Sequence, residues 1–114
     1  MKNNTKNTVV PLTYQIRSLE IAHASPIRLQ TLDLARHAVT APDGKCYVVA
    51  TFDDTQMGNG YVTGIYPQQN GYLTLIRLTI CEFKSASPEE AINRHLTLAQ
   101  AIQQGKLAEL KKSA

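Results

Sequence analysis

Hydrophobic and polar positions change their period several times along the 114-residue chain. Across residues 12–23, Leu12, Tyr14 and Ile16 alternate with polar neighbours, and the phase then slips to Leu19 and Ile21. Alternation of this kind marks a half-buried strand, and a slip in phase marks a bulge or bend, here near Ser18. The spacing changes after Ser25-Pro26. On a helical projection Ile27, Leu34 and Ala38 share one side with Leu32, Ala35 and Val39 adjacent, while Gln30, Asp33, Arg36 and His37 fall opposite. With Ser25 as N-cap and Pro26 in the first turn, the pattern predicts a helix over residues 26–39. A strand is the alternative, since Ala41-Pro42-Asp43-Gly44 would then turn a hairpin into the next segment.

Residues 45–53, 60–66 and 72–83 are three runs rich in β-branched and aromatic side chains. The loops between them hold Asp53-Asp54 and Gly58-Asn59-Gly60, then Gln68-Gln69-Asn70-Gly71, the residues that tight turns require. An antiparallel meander of at least three strands follows. Ser87-Pro88-Glu89-Glu90 then opens a helix, with Ser87 able to cap the Glu90 amide and two carboxylates at the positive helix end. Ile92, His95, Leu96, Ala99 and Ile102 form its apolar stripe, Gly105 ends it, and Leu107 with Leu110 allows one further turn. The predicted class is α+β, in the order β-α-β-β-β-α, with the C-terminal helix across one face of the sheet. Residues 1–8 read as a polar tail, 9–110 as one domain and 111–114 as a short basic tail.

Side chains alternate between the two faces of a sheet, so a choice of turns assigns them. With the first hairpin turning across residues 54–59 and the second at Gln69-Asn70, one face gathers Val48, Ala50, Phe52, Tyr61, Ile65, Ile76, Leu78 and Ile80. That face is the expected seat of the C-terminal helix. The other face gathers Tyr47, Val49, Thr51, Val62, Tyr66, Leu73, Leu75 and Arg77. It is too apolar for a solvated sheet face. Either the N-terminal elements cover it as a second core layer, or another protein chain does. Tyrosine and arginine over aliphatic residues have the composition of interface hot spots, so Tyr47, Val49, Val62, Tyr66, Leu73, Leu75 and Arg77 form the candidate interface.

Charge alters this picture only slightly. The net charge is +3, yet residues 9–105 carry seven basic against eight acidic side chains. The excess lies at the ends, in Lys2 and Lys6 and in Lys106, Lys111 and Lys112. A nucleic-acid surface needs a Lys or Arg for each phosphate it neutralises, so the basic ends with Tyr47, Tyr66 and Arg77 make single-stranded nucleic acid the second choice of partner. The N-terminus lacks the apolar run of a signal peptide, and no stretch approaches the ~20 apolar residues of a membrane span. The chain therefore reads as cytoplasmic, with Cys46 and Cys81 reduced and, in a meander, roughly 20 Å or more apart.

Candidate chemistry is sparse. Neither cysteine sits in a nucleophile motif with His23, His37 or His95, and ligand spacings such as Cys-x-x-Cys or His-Glu-x-x-His are absent. Asp53-Asp54 reads as a polar loop and His95 as a packed, hydrogen-bonded core histidine. The glycines at 58, 60 and 64 enter a strand, whereas a phosphate loop leaves one and opens a helix. Gly60-Tyr61-Val62, Pro67 and Ser87-Pro88-Glu89-Glu90-Ala91 resemble HicB-type antitoxins, in which a small sheet leads into a helix. The acidic Pro-Asp-Leu-Pro-Gly motif of that family is absent, and no residue role is carried over from it. The sequence leads to a non-enzymatic binding or regulatory protein without a cofactor or metal, acting through protein contacts as a homodimer.

Overall fold

The computed structural model describes residues 21–27, 29, 32–68 and 79–113. They build an antiparallel sheet in the order β1 (Ser25–Pro26), β2 (Asp33–Thr40), β3 (Cys46–Asp53), β4 (Tyr61–Pro67) and β5 (Cys81–Ser85). Helix α1 (Pro88–Gln103) packs on one face of this sheet, and α2 (Leu107–Ser113) follows it. The architecture is α+β, as the hydrophobic pattern predicts. The tail at residues 1–8, most of the segment at 12–23 and the Gln69-Asn70 turn lie outside the described residues.

The predicted helix over residues 26–39 is instead the strand pair β1 and β2. Pro26 lies opposite His37 on the short outer strand, a place where a missing amide donor is tolerated. The Ala41–Lys45 hairpin decides the matter. Gly44 donates its amide to the Ala41 carbonyl at 2.9 Å, Ala41 donates to Lys45 at 2.9 Å, and the Asp43 carboxylate accepts from the Lys45 amide at 3.0 Å. This turn locks β2 against β3 from Thr40↔Cys46 to Ala35↔Thr51. A register shift between Asp33 and Ala35 then turns Leu34 and Ala35 together towards Ile92 of α1. That local bulge also breaks strict alternation, which is why the segment imitates a helical period.

The β3–β4 loop corrects the predicted faces. The pairing Asp53↔Tyr61 leaves residues 54–60 in the loop, one residue more than a turn across 54–59. Gly60 is the extra residue. Its φ of 71° is left-handed, its carbonyl accepts from the Asp54 amide at 2.7 Å, and a Cβ there would lie 2.7 Å from the Ser85 carbonyl oxygen. Because the side-chain period is two, one added residue exchanges the faces of β3 relative to β4. Tyr47, Val49 and Thr51 therefore share a face with Tyr61, Thr63 and Ile65, and Val48, Ala50 and Phe52 share the other with Val62, Gly64 and Tyr66.

Helix α1 covers the first of these faces. Its N-terminus is capped by Ser87, whose hydroxyl accepts from the Glu90 amide at 3.1 Å while the Glu90 carboxylate accepts from the Ala86 amide at 3.0 Å. Its C-terminus closes in a Schellman motif, with Gly105 donating to Ile102 at 3.0 Å and Lys106 to Ala101 at 2.9 Å. Leu98, Ala99 and Ile102 meet Val39, Val49, Ile65, Cys81 and Phe83 in the core. Arg94 lies over the Phe83 ring at 5.5 Å, a cation–π contact at the edge of that core.

Candidate functional site

One cluster in the described residues joins four polar side chains inside this core. Alternation along β2 sends Ala35, His37 and Val39 towards α1, and along β3 it sends Val49 and Thr51 the same way. Thr63 enters from β4, where it pairs with Thr51 across the strands. His95 descends from α1, one turn from both Ala91 and Ala99, whose small side chains bring the helix close to the sheet. His37 is 4% exposed, and Thr51, Thr63 and His95 are wholly buried.

These four residues form an unbroken hydrogen-bonded row. Thr63 Oγ1 lies 2.8 Å from Thr51 Oγ1, Thr51 Oγ1 lies 2.8 Å from His95 Nδ1, and His95 Nε2 lies 2.9 Å from His37 Nδ1. The two imidazoles meet edge to face with centroids 5.1 Å apart. Burial, reinforced by the neighbouring His37, pushes the His95 imidazole down to about 3, so it is neutral across the physiological range. A neutral imidazole has one donor and one acceptor, and the row engages both. Each buried polar group thereby avoids the ~1–3 kcal/mol that an unpaired one costs. His95 is the hydrogen-bonded core histidine that its place on the apolar stripe predicts. His37 is missed by the sequence reading because a helical projection places it on the polar side. Thr51 and Thr63 carry no signal beyond the register itself.

The other candidate groups are dispersed. Cys46 is exposed at the start of β3 with its sulfur 3.6 Å from Thr40 Oγ1, while Cys81 is buried on β5. Both are free thiols, as predicted, and burial pushes the Cys81 thiol up. Asp53 ends β3 at the mouth of the loop, accepting from the Thr55 amide at 2.9 Å and the Thr55 hydroxyl at 2.6 Å, and these bonds hold its carboxyl below the ordinary range. Among the described residues no three His, Cys, Asp or Glu side chains gather as metal ligands, and no helix is long and apolar enough to cross a membrane.

The seven candidate interface residues do not share one face. Tyr47 and Val49 belong to the core beneath α1, whereas Val62 and Tyr66 lie on the opposite face with Val48, Ala50 and Phe52. Leu73, Leu75 and Arg77 lie outside the described residues. Tyr47 and Tyr66 thus do not combine into a single aromatic platform for nucleotide bases. On the face turned from α1, the Tyr66 ring folds back over Gly64, where a Cβ would come within 2.8 Å of the tyrosine oxygen. Arg36 and Asp33 stand on the same face, 3.5 Å apart. Compared with known proteins, the chain matches no family model, no curated protein and no solved structure.

Proposed function

We propose that this chain is a small non-enzymatic binding protein of the cytoplasm that acts through protein–protein contacts, as a homodimer joined through the part-exposed side chains of the sheet face turned from α1, whose central residues Val48, Ala50 and Val62 are already buried within the chain. The observation that carries the reading is the pinned Tyr66. Its ring rests on Gly64, on the same face as Val62, Phe52 and Arg36, and Tyr66 and Phe52 are half-buried. Aromatic side chains held in place lose little freedom on docking, and with arginine they are the residues enriched at interface hot spots. A two-fold dimer is the commonest assembly that presents one such patch to its own copy.

Charge on this patch tests the proposal. Tyr66→Glu converts the dimer to a folded monomer, seen as a halved mass by light scattering with an unchanged far-ultraviolet circular dichroism spectrum. A variant that unfolds shows instead that the face is internal core, and the interface reading then fails.

A further inference from the structure

Strand β5 ends the sheet on one side, with β4 as its only strand neighbour among the described residues. Backbone parity shows which of its polar groups are left over. In an antiparallel pair the hydrogen-bonded positions recur at every second residue. Asp54 donates to the Gly60 carbonyl at 2.7 Å and Gln68 to the Cys46 carbonyl at 3.1 Å, so the even-numbered residues of β4 turn their amides and carbonyls to β3. The odd-numbered Tyr61, Thr63 and Ile65 therefore turn theirs to β5, where they meet Ser85, Phe83 and Cys81. The Ile65 carbonyl agrees, accepting from the Ile80 amide at 2.7 Å. The amides and carbonyls of Glu82 and Lys84 are left on the outer side, with no strand to pair them.

A strand added there must match the side chains already present. Glu82 and Lys84 are exposed on the face turned from α1, whereas Cys81, Phe83 and Ser85 are buried on the helix side. Charged side chains on an edge deter unselective pairing and favour a strand of complementary charge. Lys84 donates to Asn59 Oδ1 at 3.2 Å, which leaves its ammonium with further hydrogens for a carboxylate. On the helix side Arg94 lies 5.5 Å from the centre of the Phe83 ring, with its side chain one-third exposed. Its contact with the Glu90 carboxylate is long, at 3.9 Å, and its Nε has no hydrogen-bond partner. Two cations with spare donors therefore flank the open edge, one on each face of the sheet.

We propose that β5 is a docking edge for an extended acidic segment of a partner protein, which adds to the sheet as a further antiparallel strand. Its backbone pairs with the free amides and carbonyls of Glu82 and Lys84. From its N-terminus onward the segment carries a carboxylate opposite Lys84, a second opposite Phe83 and a basic side chain opposite Glu82. The carboxylate opposite Phe83 lies on the helix side, where it meets the Arg94 guanidinium. A second copy of β5 is a poorer occupant. In the register that sets Glu82 against Lys84 of the copy, each Phe83 lies beside its equivalent, and the two Arg94 guanidiniums come together as like charges over adjoining rings. The edge belongs to a single chain and needs no dimer.

Amide NMR of the full chain, titrated with the end-blocked peptide Val-Thr-Glu-Glu-Lys-Val-Thr, tests the docking. Without peptide the Glu82 and Lys84 amides should exchange rapidly with solvent; with it they should shift and become protected. Lys84→Ala and Arg94→Gln should each weaken binding about two- to fivefold, the range of part-exposed charge pairs. The same peptide N-methylated at its first glutamate and its lysine keeps every charge but loses the amides that pair with β5, and should not bind. The proposal is overturned if the acidic peptide fails to bind at low salt, if Val-Thr-Lys-Lys-Glu-Val-Thr or the N-methylated peptide binds equally well, or if neither substitution weakens binding. Protection of the Glu82 and Lys84 amides that grows with protein concentration in the absence of peptide would place a second copy on the edge, and would also overturn it. None of these outcomes bears on the Tyr66 dimer, which is read from the mass.

Discussion

His95 sits at the centre of the helix stripe with its ring wholly buried, held on one side by Thr51 and on the other by His37. A neutral buried base couples folding to pH, and the sign is definite. Its ring protonates at about 3 in the folded chain against an ordinary 6.5, so between these values the unfolded chain binds a proton that the folded one refuses. Stability is unaffected by this group above pH 6.5 and falls as the pH drops towards 3. One proton corresponds to a slope of about 1.4 kcal/mol per pH unit. We predict that His95→Gln is less stable than the wild type at neutral pH but loses this slope, measured by urea unfolding at a series of pH values. Equal slopes would show that the ring is protonated in the fold. His95 was legible from its helical spacing alone. The partners were not, because His37, Thr51 and Thr63 become neighbours only through the pairing of strands distant in sequence.

Turn and cap signals made most elements legible. Ser87 and Gly105 bound α1, and the β-rich runs correspond to β3, β4 and β5, the last in its final residues. The failures have physical causes. Residues 33–40 carry a bulge that blurs a period of two into one of 3.6. The β3–β4 turn contains one residue more than the glycine and asparagine signals imply, and that residue decides which side chains meet α1. A turn at Gln69-Asn70 with continuous pairing would set Ile65 against residue 74, whereas Ile65 pairs with Cys81. The element-scale test is Gly60→Ala, which places a methyl group against the Ser85 carbonyl at a φ of 71°. Strain of this kind costs roughly 1–3 kcal/mol. The expected outcome is a lowered denaturation midpoint with an unchanged denaturant slope. A midpoint at the wild-type value would mean that the loop does not depend on this glycine.

For the molecule as a whole, the sheet divides the chemistry into two sides. Beneath α1 four polar groups share a hydrogen-bonded row, and on the opposite side lie Val48, Ala50, Phe52, Val62 and Tyr66 with Arg36 and Asp33. Both sides carry buried apolar residues, so neither is a simple solvated face: Val49 is wholly buried on one, and Val48 is 1% exposed on the other. That apolar character was legible from the sequence, although the membership of each face was not. Size-exclusion chromatography with light scattering, recording the ultraviolet spectrum of the peak, tests the binding role most directly. The chain has five tyrosines and no tryptophan, so bound nucleic acid would dominate the absorbance. The predicted result is a protein-only peak at twice the 12.6 kDa chain mass. A monomer at every concentration, or a peak carrying nucleic-acid absorbance, would contradict a homodimer built on the Tyr66 face.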